Sequence, residues 1–73
     1  MDKIELLKLI GKRIVELRTQ KGLSQSDLAR ACNKDRQSIE RMENGKVSPS
    51  LYSLYEISVA LEVPMEELIA YKS

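Results

Sequence analysis

LSQSDLARACNKDRQSIERMENGK, residues 23–46, holds two short helical patterns with three residues between them. Ser24 and Asp27 stand at capping-box spacing, where a hydroxyl accepts from a backbone N–H three residues on and an acidic side chain reaches back. Asp takes the place of the usual Glu. Leu23 and Leu28 flank that cap at the positions of a hydrophobic staple. A helix from about Gln25 to Cys32 follows. Asp35 is a good N-cap and Gly45 a good helix stop, so a second helix runs from about Arg36 to Asn44. Only Asn33, Lys34 and Asp35 separate the two, and so short a link forces a tight corner. Ala29 supplies the small side chain that crossing helices need. Ile39 and Met42, three apart, turn inward and leave Arg36, Gln37, Glu40, Arg41 and Asn44 on the outer side.

Outward from this segment the chain stays helical. Leu6, Ile10, Ile14 and Leu17 recur at spacings of four, four and three, which predicts one apolar face on a helix from about Lys3 to Lys21. Gly22 suits the left-handed residue after it. Leu51, Leu54, Ile57 and Leu61 predict a fourth helix from about Ser50, capped by Ser48 or Ser50, with Pro49 where a missing N–H costs little. A fifth is expected from about Met65 to Tyr71, with Glu66 and Glu67 at its positive dipole end. Strand alternation is sustained nowhere. The fold class is all-α, five helices in one domain over residues 1–73.

Composition narrows the chemistry. A chain of 73 residues without Phe or Trp must build its core from Leu, Ile, Val and Met. Cys32 is the one cysteine and there is no histidine, which leaves neither an internal disulfide nor a metal cluster to form. No cofactor is expected. No apolar run approaches the ~18 residues of a membrane span, and the N-terminus is too charged for a secretory signal, so a cytoplasmic protein is expected. With no nucleophile–base pair and no glycine-rich phosphate loop, an enzyme is not expected. Tyr52, Tyr55 and Tyr71 lie away from the outer face of residues 36–44. They are read as packing or interface residues, not as stacking platforms for single strands. The net charge of +1 does not announce a nucleic-acid binder, so any such affinity must come from how charge is arranged.

The 23–46 segment resembles the helix-turn-helix of the lambda-repressor-like (Cro/phage repressor, XRE-type) family. IGKRIVELRTQKGLSQ before it looks like that family's first helix and loop, and PSLYSLYEISVALEVPMEELI after it like the fourth and fifth helices. QSIE followed by ENGK is especially similar to the reading segment of lambdoid phage repressors. The resemblance implies a compact lambda-repressor-like DNA-binding domain, with the motif at about 24–44. Its inward positions fall on Leu28, Cys32, Ile39 and Met42, all apolar. The corner position that is usually Gly is Asn33, which tolerates the left-handed backbone. The next, usually apolar, is Lys34, which is expected to weaken the corner or to be lifted toward solvent and phosphate.

The resemblance also implies a site. Arg36, Gln37 and Arg41 are the candidate base readers, since Arg can bond two acceptors of guanine and Gln two groups of adenine in the major groove. Ser38 and Glu40 are secondary candidates. The resembling repressors have Gln at the three positions of Arg36, Gln37 and Arg41, so two Arg replacements imply a different, more guanine-rich operator. Gln25, Asn44 and Lys46 match positions near the DNA backbone; Lys34 and Arg13 are further phosphate candidates. Arg18 and Glu43 occupy the positions of a partly buried ion pair and are assigned to structure. The expected partners are double-stranded DNA bearing an inverted repeat and a second copy of the chain. Val63, Met65, Leu68, Ile69 and Tyr71 are candidate dimer contacts. No small-molecule ligand is evident. The function is then a sequence-specific transcriptional regulator, read as a repressor. A protein-interaction module of the same fold, an antitoxin or a bridging coactivator, stays open beside it because the net charge is low.

Overall fold

The computed structural model describes residues 1–70. Four α-helices and a 3₁₀ turn follow in order: α1, Lys3–Gln20; α2, Gln25–Ala31; α3, Arg36–Glu43; α4, Leu51–Leu61; and the turn Met65–Leu68. No strand occurs among the described residues.

Side-chain caps set each helix start. Asp2 Oδ1 accepts from the Glu5 N–H at 2.8 Å and opens α1. Ser24 Oγ accepts from the Asp27 N–H at 3.0 Å while Asp27 Oδ2 accepts from the Ser24 N–H at 2.9 Å, completing the capping box of α2. Asp35 Oδ1 accepts from the Ser38 N–H at 2.7 Å at the head of α3. Ser50, not Ser48, caps α4, taking the Ser53 N–H at 3.1 Å. Such caps typically contribute about 1 kcal/mol each. The Ser24 backbone N–H holds the Asp27 carboxyl below its ordinary pKa, and the Ser38 N–H does the same for Asp35.

The stops use left-handed backbone. Asn33 sits at φ 61° in the corner between α2 and α3, where Lys34 N–H donates to Ala29 O at 2.8 Å. Glu62 ends α4 at φ 59°, a conformation that favours glycine, and its carboxylate pairs with Lys21. Nothing in the residue type announced that role.

The core joins all five elements. Ile10, Ile14 and Leu17 come from α1, Leu28, Ala29 and Cys32 from α2 and its C-cap, Ile39 and Met42 from α3, Ile57 and Leu61 from α4, and Leu68 from the 3₁₀ turn. Two stripes begin later than the sequence predicts. Leu6 is 40% exposed and Leu51 74%. The 18 residues of α1 span about 27 Å against about 12 Å for the 8 of α3. The opening turn of α1 therefore overhangs its neighbour, and the opening turn of α4 likewise leaves Leu51 without cover.

The expected fifth helix is a 3₁₀ turn. Glu67 N–H donates to Pro64 O and Ile69 N–H to Glu66 O, both at i→i+3 spacing, and Pro64 offers no side-chain cap. The tight turn drops Leu68 fully into the core. Tyr71, the end of that expected helix, lies outside the described residues. No described helix is long and apolar enough to cross a membrane.

Candidate nucleic-acid interface

Two buried side chains orient α3. Ile39 is 0% exposed and Met42 6%, and the helix packs against both α1 and α2. With those inward, Arg36, Gln37 and Arg41 stand on the opposite side, all three exposed, and Ser38 and Glu40 are half-buried at its edges. Asp35, Arg36, Gln37 and Glu40 line one shallow open groove.

A polar chain braces the two ends of α3. The Glu43 side chain, 4% exposed, accepts from Arg18 Nε at 2.6 Å and from Arg18 Nη2 at 3.1 Å. Arg18 Nη1 also donates to Leu23 O at 2.9 Å. Gln25 Nε2 donates to the same Glu43 carboxylate at 2.9 Å, and Gln25 Oε1 accepts from Arg36 Nη1 at 3.3 Å. The amide of Gln25 thus spans from the last residue of α3 to its first. Its own backbone lies in the first turn of α2, where N–H groups and the helix dipole favour an anion.

Gly11 is a close approach that sequence reading missed. A Cβ built there would stand 2.4 Å from Glu43 O and 2.6 Å from Met42 O. Only glycine lets the C-terminal turn of α3 approach α1 this closely. A glycine inside a helical pattern was the available signal, since it weakens a helix unless packing uses the missing side chain.

The candidate phosphate residues divide. Asn44 and Lys46 lie beyond the end of α3; Asn44 Nδ2 donates to Glu40 O at 3.0 Å, and Lys46, which is exposed, donates its N–H to Arg41 O at 2.9 Å. Lys34 is not lifted toward solvent. Its ammonium donates to Ser53 Oγ at 3.1 Å and pairs with Glu56 at 3.0 Å, so its stem covers the α2–α4 junction while its charge is matched. Arg13 is also engaged elsewhere: Nε donates to Glu67 O at 2.9 Å and Nη2 to Glu67 Oε1 at 3.2 Å, tying α1 to the 3₁₀ turn.

The expected dimer contacts change as well. Leu68 is core, Val63 and Met65 are half-buried, Ile69 is exposed, and Tyr71 lies outside the described residues. The larger apolar surface is the outer side of α4, where Leu51, Tyr52, Tyr55 and Val59 are all at least half exposed. The Tyr52 and Tyr55 rings lie 6.1 Å apart.

Cys32 is buried and its thiol donates to Leu28 O at 3.1 Å; burial pushes its pKa up. Among the described residues no three His, Cys, Asp or Glu side chains converge to hold a metal ion.

This arrangement has known counterparts. The family model HTH_3, described as Helix-turn-helix, matches residues 14–68. An uncharacterized HTH-type transcriptional regulator, y4dJ of Sinorhizobium fredii, is 32% identical over 66 residues, 90% of this chain and 86% of that protein. Another from Archaeoglobus fulgidus is 34% identical over 59 residues, covering 81% and 84%. Among solved structures, the restriction-modification controller protein C.AhdI from Aeromonas hydrophila superposes with a TM-score of 0.89 at 37% identity, over 93% of this chain and 99% of that one. The chain belongs to the lambda-repressor-like, XRE-type helix-turn-helix family.

Proposed function

We propose that this DNA-binding transcriptional regulator reads a specific duplex sequence with α3 in the major groove. One observation carries the reading. Ile39 and Met42 are sunk in the core, so the same helix holds Arg36, Gln37 and Arg41 outward on a braced support. Arg36 and Arg41 are assigned to guanine O6 and N7, and Gln37 to adenine N6 and N7. Ser38 and Glu40 border the same surface. Gln25 at the start of α2, with Asn44 and Lys46 after α3, fixes the register on phosphates.

The working form in this reading is a homodimer on an inverted repeat, with half-sites about 34 Å apart. A body 31 Å in its longest extent, set beside its twofold mate, is of a size to reach successive major grooves. The outer side of α4 is the apolar surface on offer for that pairing. Occupying a promoter in this way represses it, and in this reading the chain acts in the cytoplasm.

Selection of bound sequences from a random duplex pool tests the reading. The expected product is a short inverted repeat with guanine in each half-site. A pool that enriches nothing, under salt where the protein is folded, overturns sequence reading and favours an interaction module seated on α4.

A further inference from the structure

Among the described residues Arg13, Arg18, Lys21, Arg30 and Lys34 are each matched by a carboxylate. Arg36 and Arg41 on α3 and Lys46 after it form no ion pair among those residues, and neither do Lys3 and Lys12 on α1. A further unmatched cation, Lys8, comes to the end of α3 from α1. A Cβ built on Gly45 would stand 3.1 Å from the Cα, Cγ and N of Lys8, so the lysine stem runs directly along the turn that ends α3. Gly45 has φ 69°, and its bare Cα admits both that turn and the close approach of Lys8.

We propose that Lys8 is a phosphate-binding residue, gripping the duplex backbone together with Lys46 from the N-terminal half of α1. The inference rests on the reading of α3 as the DNA-reading helix. Its physical reason is the sign of the field there. The C-terminal end of α3 carries roughly half a negative charge, which repels a phosphate brought up to it. Lys46 lies one residue beyond the Gly45 stop, and Lys8 comes in from the neighbouring helix. The two ammonium groups reverse that sign where the backbone of a docked duplex would pass. Lys8 is exposed and lies outside the helix-turn-helix segment, so motif reading alone passes over it.

The test is the salt dependence of binding to random duplex DNA by the full chain. For every phosphate that the protein ceases to neutralise, the slope of log affinity against log salt becomes shallower by about 0.9. Lys8→Gln is expected to lower it by about that amount per protomer, equally on selected and random duplexes, with an unchanged melting temperature. Lys8→Arg is expected to restore it. Lys21→Gln removes the same formal charge at a site paired with Glu62 and is expected to leave the slope within error. An unchanged slope in Lys8→Gln, or an equal fall in Lys21→Gln, overturns the proposal. So does a fall in melting temperature without a change of slope, which would make Lys8 only a partner of the helix dipole. Absence of salt-dependent binding by the unaltered chain strikes the DNA reading itself, a distinct result.

Discussion

At the residue scale the most exacting position is Glu43. Its nearly closed carboxylate receives two hydrogen bonds from Arg18 and one from Gln25, so it serves α1, α2 and α3 together. Removing it strands a guanidinium whose side chain is only 14% exposed. Losing one partner of such a pair costs about 3–5 kcal/mol. Glu43→Ala is expected to lower melting temperature and DNA affinity together, checked by thermal unfolding and binding on the same preparation. Weaker binding at unchanged stability would mean that Glu43 acts at the DNA and not through the fold. Gln37 gives the opposite signature. It is no part of the core, so Gln37→Ala is expected to keep the melting temperature and relax preference at one base pair by about 1–3 kcal/mol. Lys46→Ala is expected to weaken all sequences alike, as removing a phosphate-binding cation does. Binding across a panel of single-base operator variants separates the two.

At the scale of elements, local chemistry was the readable part. The Ser24–Asp27 box and the Asp35 cap follow from side chains that bond their own backbone, and no distant residue is needed to see them; Asn33 at the corner was implied by the resemblance, and its side chain tolerates αL. Ile39 and Met42 were legible from their spacing, and Leu28 and Cys32 as the inward positions that the family resemblance implies. What escaped depends on partners remote in sequence. Lys34 and Arg13 are cations whose destinations, Glu56 and Glu67, are fixed only once α4 and the 3₁₀ turn have docked. Leu6 and Leu51 keep the right period but stay 40% and 74% exposed in the opening turns of their helices. Gly11 went unread because the α3 end that needs its bare Cα is remote in sequence. The caps yield a prediction at this scale. Asp35→Ala is expected to lower the melting temperature and to fray the first turn of α3, which carries Arg36 and Gln37. Because the folded pKa values of Asp27, Asp35 and Glu62 lie below their unfolded ones, the stability they lend is complete above about pH 4–5. It is lost as pH falls through the folded values. Unfolding curves from pH 7 downward are expected to show that fall, and Asp35→Asn, with no carboxyl to titrate there, to show a shallower one.

At the scale of the whole molecule the question, on the proposed reading, is how eight residues of α3 would select one place on a long duplex. One short helix reaches about three or four base pairs, and at about 1–3 kcal/mol for each mismatched pair that leaves many near-equivalent sites. Two copies on one inverted repeat double the bases read and add a fixed spacing, which is why the reading needs a second chain. The core provides no surface for it: Leu68, a sequence candidate, is fully buried. Leu51, Tyr52, Tyr55 and Val59 on α4 leave an apolar strip uncovered, on the helix that follows the α3–α4 turn. Val59 is 57% exposed, so a charge there costs the single chain little. Facing its mate across a twofold axis, the same charge would meet itself in an apolar setting. Val59→Lys is therefore expected to keep the helical content and melting behaviour of the isolated chain. It is expected to shift the mass measured by sedimentation from dimer to monomer. It should weaken binding to the full inverted repeat by about tenfold or more, on the order of 1.4 kcal/mol, while single half-site binding changes little. A dimer that survives this substitution would place the interface elsewhere, toward Ile69. A chain that is monomeric from the outset yet still selects an inverted repeat would mean that the copies meet only on DNA.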